Sequence, residues 1–232
     1  MIYPKNPPKK TPLIVAPHGG PHSASTDQFK SEVYFFSQLG NKIQNVAHIS
    51  LCLLNGQFQG YAVLLVNFRG SIGFGEKALH SLLGKVGEQD VQEVHNATVK
   101  MIEKHDFLDK ELVFLFGGSH GGFLVTHLSG QYPDFYKAVS TRNPVIDMAS
   151  MYPITDIADW TIVESKLGDG SELEKLLEPQ IFSRMWEMSP IRYVQKVKAP
   201  TLLLVGKIDR RVPPTQSIEY YRALQLHGVK TR

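Results

Sequence analysis

The sequence predicts an α/β fold: a mostly parallel sheet with helices on both faces. Three observations predict it. Several short runs are apolar throughout rather than alternating, which suits strands covered on each side. Helix-period segments lie between those runs, as in strand–helix–strand units. One apolar run also ends in a cluster of glycines around a serine, directly ahead of a helical segment.

Four apolar runs stand out as strands: "LIVA" at Leu13 to Ala16, "YAVLLVNF" at Tyr61 to Phe68, "LVFLF" at Leu112 to Phe116 and "TLLLVG" at Thr201 to Gly206. A weaker one, "KAVS", lies near Ala138. Between them "SEVYFFSQLG" reads as a helix. So does "DVQEVHNATVKMIEKH", with Val91, Val94, Thr98, Met101 and Ile102 on one stripe and Asp90 and Glu93 as a capping box. "GGFLVTHLSGQYP" gives a helix after the serine, closed by Gly130 and Pro133. "TQSIEYYRALQLHG" gives another, stopped by Gly228. Asn41 to Gly60 carries neither period and separates a helix from a strand that a short loop should join. It reads as an atypical insertion.

Composition narrows the function classes. The chain has 232 residues, 42% hydrophobic and 20% charged, as a folded domain does. A net charge of +3 without a clustered basic block argues against nucleic acid as a partner. The basic, proline-rich "PKNPPKK" near the start reads as a solvated leader. Cys52 is the one cysteine, so no disulfide framework is available and a thiolate metal site is not expected. No apolar run approaches the ~20 residues a membrane span needs, and the start lacks a signal-peptide core. A cytoplasmic location is the resulting expectation.

The chemistry centres on Gly117-Gly118-Ser119-His120-Gly121, a G-x-S-x-G pattern between strand and helix. A serine in so tight a turn needs neighbours without side chains. The turn raises its hydroxyl above the sheet and aims the next amide, that of His120, at a bound carbonyl oxygen. The helix N-terminus adds a field that favours negative charge there. A serine nucleophile needs a base and a group that orients the base. Asp209, on the loop after "TLLLVG", is the candidate orienting acid, because chemistry gathers at the carboxyl edge of such sheets. Asp147, Asp156, Asp159 and Asp169 read as loop and cap residues, and a turn aspartate paired with Arg210 or Arg211 is the plainer account of Asp209. "APHGGPHS" follows a strand and offers a second oxyanion amide, Gly20 by choice with Gly19 close behind. His18 there reads as structural. Only His227 follows Asp209, near the far end of a helix, a poor place for a base. No metal or organic cofactor is called for.

These residues carry a resemblance. "PHGGPHS", "AVLLVNFRGSIGFG", "GGSHGGF", "GQYP", "RNPV", "SPIRY" and "DRRVP" resemble the catalytic domain of acylaminoacyl-peptidases, within the prolyl oligopeptidase family of serine peptidases. The resemblance implies an α/β-hydrolase fold and release of an N-acylated amino acid from short peptides. It implies Ser119 as nucleophile, Asp209 as triad acid, and the Gly20 and His120 amides as oxyanion donors. It also implies a β-propeller ahead of this domain, and a last strand, a histidine-bearing loop and a final helix after Arg232. The expectation is thus one hydrolase domain over 1–232, incomplete at its C-terminus, with little activity and a possible homo-oligomeric state. A non-catalytic relative acting by binding, a dipeptidyl peptidase and an esterase are the alternatives.

Overall fold

The computed structural model describes residues 1–3, 7, 9–28, 30–38, 60–166 and 178–232. The expected insertion, 41–60, falls almost wholly outside them, as does Asp169. Five strands form one sheet: β1 (Thr11–Val15), β2 (Ala62–Leu64), β3 (Leu108–Ser119), β4 (Ala138–Pro144) and β5 (Thr201–Leu204). Their order is β2-β1-β3-β4-β5, and every neighbouring pair is parallel. The parallel arrangement follows the sequence reading, with three adjustments. β3 runs on through the glycines to Ser119, β2 keeps only three residues of its long apolar run, and β5 is not covered on both faces.

Eight helices are described: α1 (Ser31–Gln38), α2 (Glu76–His80), α3 (Gln89–Lys104), α4 (His120–Gln131), α5 (Met148–Met151), α6 (Ala158–Glu164), α7 (Pro179–Glu187) and α8 (Pro214–Leu226). A 3₁₀ segment spans Pro190–Lys196. The stripe expected on α3 is present: Val91, Val94 and Thr98 are fully buried, with Met101 and Ile102 packed at its edge. Its capping box is not. Glu88 is the N-cap and has no side-chain bond, while Asp90 turns inward and Glu93 reaches the Arg69 backbone N–H at 2.8 Å and its guanidinium. An acidic side chain in a first helical turn can serve the interior instead of the cap. Gly130 lies inside α4, where an added Cβ would sit 2.6 Å from the Tyr193 Cβ, so it serves close packing rather than termination. Gly228, at φ 73°, does end α8.

One face of the sheet is sealed. Leu13, Val15, Val113 and Leu115 pack with the α3 stripe and with Phe123, Leu124 and Leu128 of α4, all at most 2% exposed. Burying each such side chain stabilises the fold by about 1.5–3 kcal/mol. Among the described residues, the other face is only partly covered. A groove of about 840 Å³ runs along it, floored by Ile14, Phe114, Phe116 and Leu202 and flanked by Phe36 of α1. Near the N-terminus Ile2 adds an antiparallel bridge to Val63. No described helix is long and apolar enough to cross a membrane.

Candidate active site

Ser119 sits where β3 meets α4, with φ 57° and ψ −125°. Such a conformation is strained for any residue with a Cβ and persists only when its surroundings over-determine it. They do so here through the neighbouring glycines. A Cβ on Gly117 would lie 2.3 Å from the Gly121 carbonyl oxygen, and one on Gly121 would lie 2.5 Å from that of Pro17. Strand, turn and the loop after β1 are therefore in backbone contact. Ser119 itself is half-buried.

The loop after β1 comes to the serine as expected, with Gly19 the residue in contact. A Cβ built on Gly19 would be 3.5 Å from the Ser119 Cβ and 3.9 Å from the His120 nitrogen. Gly20, at φ 129°, is next and precedes a cis bond to Pro21. His18 is held within this loop. Its Nδ1 donates to the Gly19 carbonyl at 2.7 Å, so its Nε2 accepts from the Ser71 hydroxyl at 2.8 Å. It also stacks on Phe68, and burial pushes its pKa down. It is a neutral structural histidine.

The His120 ring turns away from the serine into the interior. Its Nε2 donates to Asp90 Oδ2 at 3.0 Å, and both side chains are fully buried. Asp90 Oδ1 accepts from the Gly87 and Val91 amides at 2.8 and 2.9 Å. The serine turn is thus pinned from beneath by the N-terminus of α3. Sequence reading assigned Asp90 to a cap and missed this role; nothing in the local pattern separates the two.

Asp209 lies half-buried on the loop after β5, at the same sheet edge. Its Oδ1 accepts from the Arg211 and Val212 amides, each at 3.0 Å. Its Oδ2 accepts from the Asn143 amide, and Asn143 Oδ1 in turn accepts from Gly206 N–H at 2.7 Å. Asn143 stands at φ 41°, one residue before Pro144, whose register partner is Ser119. This asparagine links acid and serine strands, and only its place in "RNPV" hinted at it. The plainer account of Asp209 does not hold in its side-chain form: the Arg211 guanidinium pairs with Asp156 at 2.8 Å, not with Asp209. Asp147 caps α5 through Ala149 N–H at 2.9 Å, as a cap residue should.

Among the described histidines none hydrogen-bonds the Ser119 hydroxyl. His22 is tied to Gly70 and Glu164, His95 to Tyr136, and His127 to Met188 and Gln131. His80 lies near Glu76, His105 packs by Tyr3 and Phe107, and His227 caps the exposed end of α8. His48 lies outside the described residues. No group of three or more His, Cys, Asp or Glu side chains suited to a metal ion occurs among the described residues.

The chain is similar to known proteins over its whole length. The chain is 44% identical to the human acylamino-acid-releasing enzyme over 234 aligned residues, covering 100% of this chain and 29% of that one. The Pyrococcus horikoshii acylaminoacyl peptidase superposes with a TM-score of 0.80 at 26% identity, over 99% of this chain and 33% of that one. An acylaminoacyl peptidase in complex with Z-Gly-Gly-Phe-chloromethyl ketone does so with a TM-score of 0.79 at 27% identity, over 99% and 33%. This chain therefore spans less than a third of the length of the human relative. The profile of the prolyl oligopeptidase family matches residues 51–232, and with the α/β-hydrolase sheet and the serine turn described above, the chain belongs to the prolyl oligopeptidase family.

Proposed function

We propose that the chain carries the serine part of an acylaminoacyl-peptidase site, which releases an N-acylated amino acid from the N-terminus of a short peptide. Ser119 attacks the carbonyl of the acylated residue. The oxyanion that forms is held by the His120 amide and by an amide of the Gly19–Gly20 turn, with Gly20 the donor of choice. Asp209 is the acid that orients the base. The intermediate collapses with cleavage of the C–N bond, and the shortened peptide leaves as its amine with the proton given up by Ser119. Water hydrolyses the acyl-enzyme to free the N-acylated amino acid, and no cofactor is required. The observation that carries this reading is the forced conformation of Ser119 at φ 57°, at the N-terminus of α4 and against Gly19. The peptide ligand bound to the structural relative supports a peptide substrate. We further propose one hydrolase domain over these residues, with 41–60 as an insertion, a cytoplasmic location and a homo-oligomer.

Because no described imidazole hydrogen-bonds the Ser119 hydroxyl, turnover by this chain should be slow. Losing the base costs several orders of magnitude while oxyanion donors keep a residual rate. Incubation with an N-acetylated peptide should release N-acetyl amino acid slowly, and Ser119→Ala should bring the rate to background. Equal release by both proteins would overturn the proposal. The same lack of a described imidazole at the serine favours a second reading, a binding-only relative. It would give no release from either protein.

A further inference from the structure

Glu164, at the end of α6, is 2% exposed, and the mechanism above does not use it. A buried carboxylate is costly unless it is paired. Burial pushes its pKa up, opposed chiefly by the charge of His22. Its Oε2 has no partner among the described residues, and its Oε1 meets His22 Nε2 at 3.1 Å. His22 lies on the turn that carries Gly19 and Gly20, two residues past Gly20. The other face of its ring meets the Gly70 carbonyl through Nδ1 at 2.8 Å. A carbonyl only accepts, so Nδ1 bears a hydrogen and Nε2 is the ring nitrogen that faces Oε1. The ring is thus clamped between two loops and α6. Trp160, one helical turn before Glu164, packs edge-on against the His120 ring. The helix α6 therefore touches both amide-bearing elements of the site, one through Trp160 and one through Glu164.

We infer that Glu164 and His22 are a positioning pair, in which the carboxylate on α6 holds the Gly19–Gly20 turn against Ser119. The pair does not touch the reacting atoms. It fixes where the loop amide points, and its consequence for chemistry rests on the hydrolase reading. A Cβ built on Gly19 would be 3.3 Å from the Gly118 carbonyl oxygen and 3.5 Å from the Ser119 Cβ, so the loop lies against the serine turn and a drift of it changes the distance from its amides to the oxyanion.

The test follows amide hydrogen exchange and phosphonylation of Ser119 by a fluorophosphonate in the 232-residue chain. Loss of a hydrogen bond to a charged group is worth about tenfold or more in local opening. In Glu164→Ala, exchange in peptides covering 18–25 should rise about tenfold with β3 and α4 unchanged, and phosphonylation should slow about tenfold. Glu164→Gln can donate to a neutral His22 ring and should bring both within about threefold of wild type. If the alanine variant does not fold, His22→Ala, made from the more exposed side, should give the same local rise. Unchanged exchange at 18–25, a rise spread equally through β3 and α4, or no rescue by glutamine would each overturn the pair. The two proposals fail separately. Wild-type Ser119 that never labels, with a loop that responds to Glu164, defeats the hydrolase reading alone. Labelling with an unresponsive loop defeats the pair alone.

Discussion

The serine side and the acid side of the site are built differently. Around Ser119 the backbone of β3, α4 and the loop after β1 is in contact, and His120 is bonded to Asp90 with both side chains fully buried. Around Asp209 the chain is open. Leu202, Leu204 and Val205 are each at least 40% exposed, and Ile208 is 94% exposed. Asp209 is held by backbone amides and by one asparagine rather than by packing. The Ser119 turn is thus set by backbone sterics, with the Gly19–Gly20 loop further held through His22 and Glu164, whereas Asp209 is set by polar contacts that tolerate movement.

Glycine substitutions give the largest contrast. Gly121→Ala places a Cβ 2.5 Å from the Pro17 carbonyl oxygen, a backbone atom that cannot step aside. It should cost about 4 kcal/mol or prevent folding, read by urea denaturation. Gly206→Ala places a Cβ 3.0 Å from the Asn143 side-chain nitrogen, which can give way. It should cost under about 1 kcal/mol. Equal costs would remove the distinction between the two sides.

Acid should weaken the serine side next. Burial pushes the fully buried His127 on α4 from 6.5 to about 4. Its folded pKa lies below the unfolded value, so the unfolded chain binds the proton first as pH falls. The stability of the neutral ring is therefore present above about pH 6.5 and lost between there and about pH 4, by up to about 3 kcal/mol. His127→Gln should flatten that part of the stability curve. An unchanged curve would place the acid sensitivity elsewhere.

The two faces of β5 give the smallest contrast. Leu203 is 9% exposed and Leu202 is 40% exposed. Leu203→Ala should cost about 2–3 kcal/mol and Leu202→Ala under about 1 kcal/mol, by the same denaturation. A costly Leu202 change would mean that its face is covered in solution.

The same contrast explains what the sequence made legible. Ser119 could be read because its turn demands glycines, and glycines are visible in a string of letters. The parallel sheet could be read because runs such as "LIVA" are apolar on both faces. β5 shared that pattern, yet burial alternates along it, since an apolar run records what a strand can bury and not what covers it. Asp90, Asn143 and Glu164 were out of reach because each acts across a long sequence separation, Asp90 on His120 and Glu164 on His22. The helices α5, α6 and α7 are not legible because they are short and polar and apolar residues mix on their faces: Thr161 and Glu164 are buried while Trp186 is 45% exposed. Tyr61 N–H donates to the Phe36 carbonyl at 3.0 Å, so α1 meets the chain just before β2.

Reaction of the 232-residue chain with a fluorophosphonate, followed by intact-mass measurement and peptide mapping, tests the central claim most directly. A turn that presents Ser119 beside ready amides predicts one phosphonate per chain, formed slowly, located on Ser119 and absent from Ser119→Ala. No adduct after prolonged exposure, or the same adduct in Ser119→Ala, would contradict it.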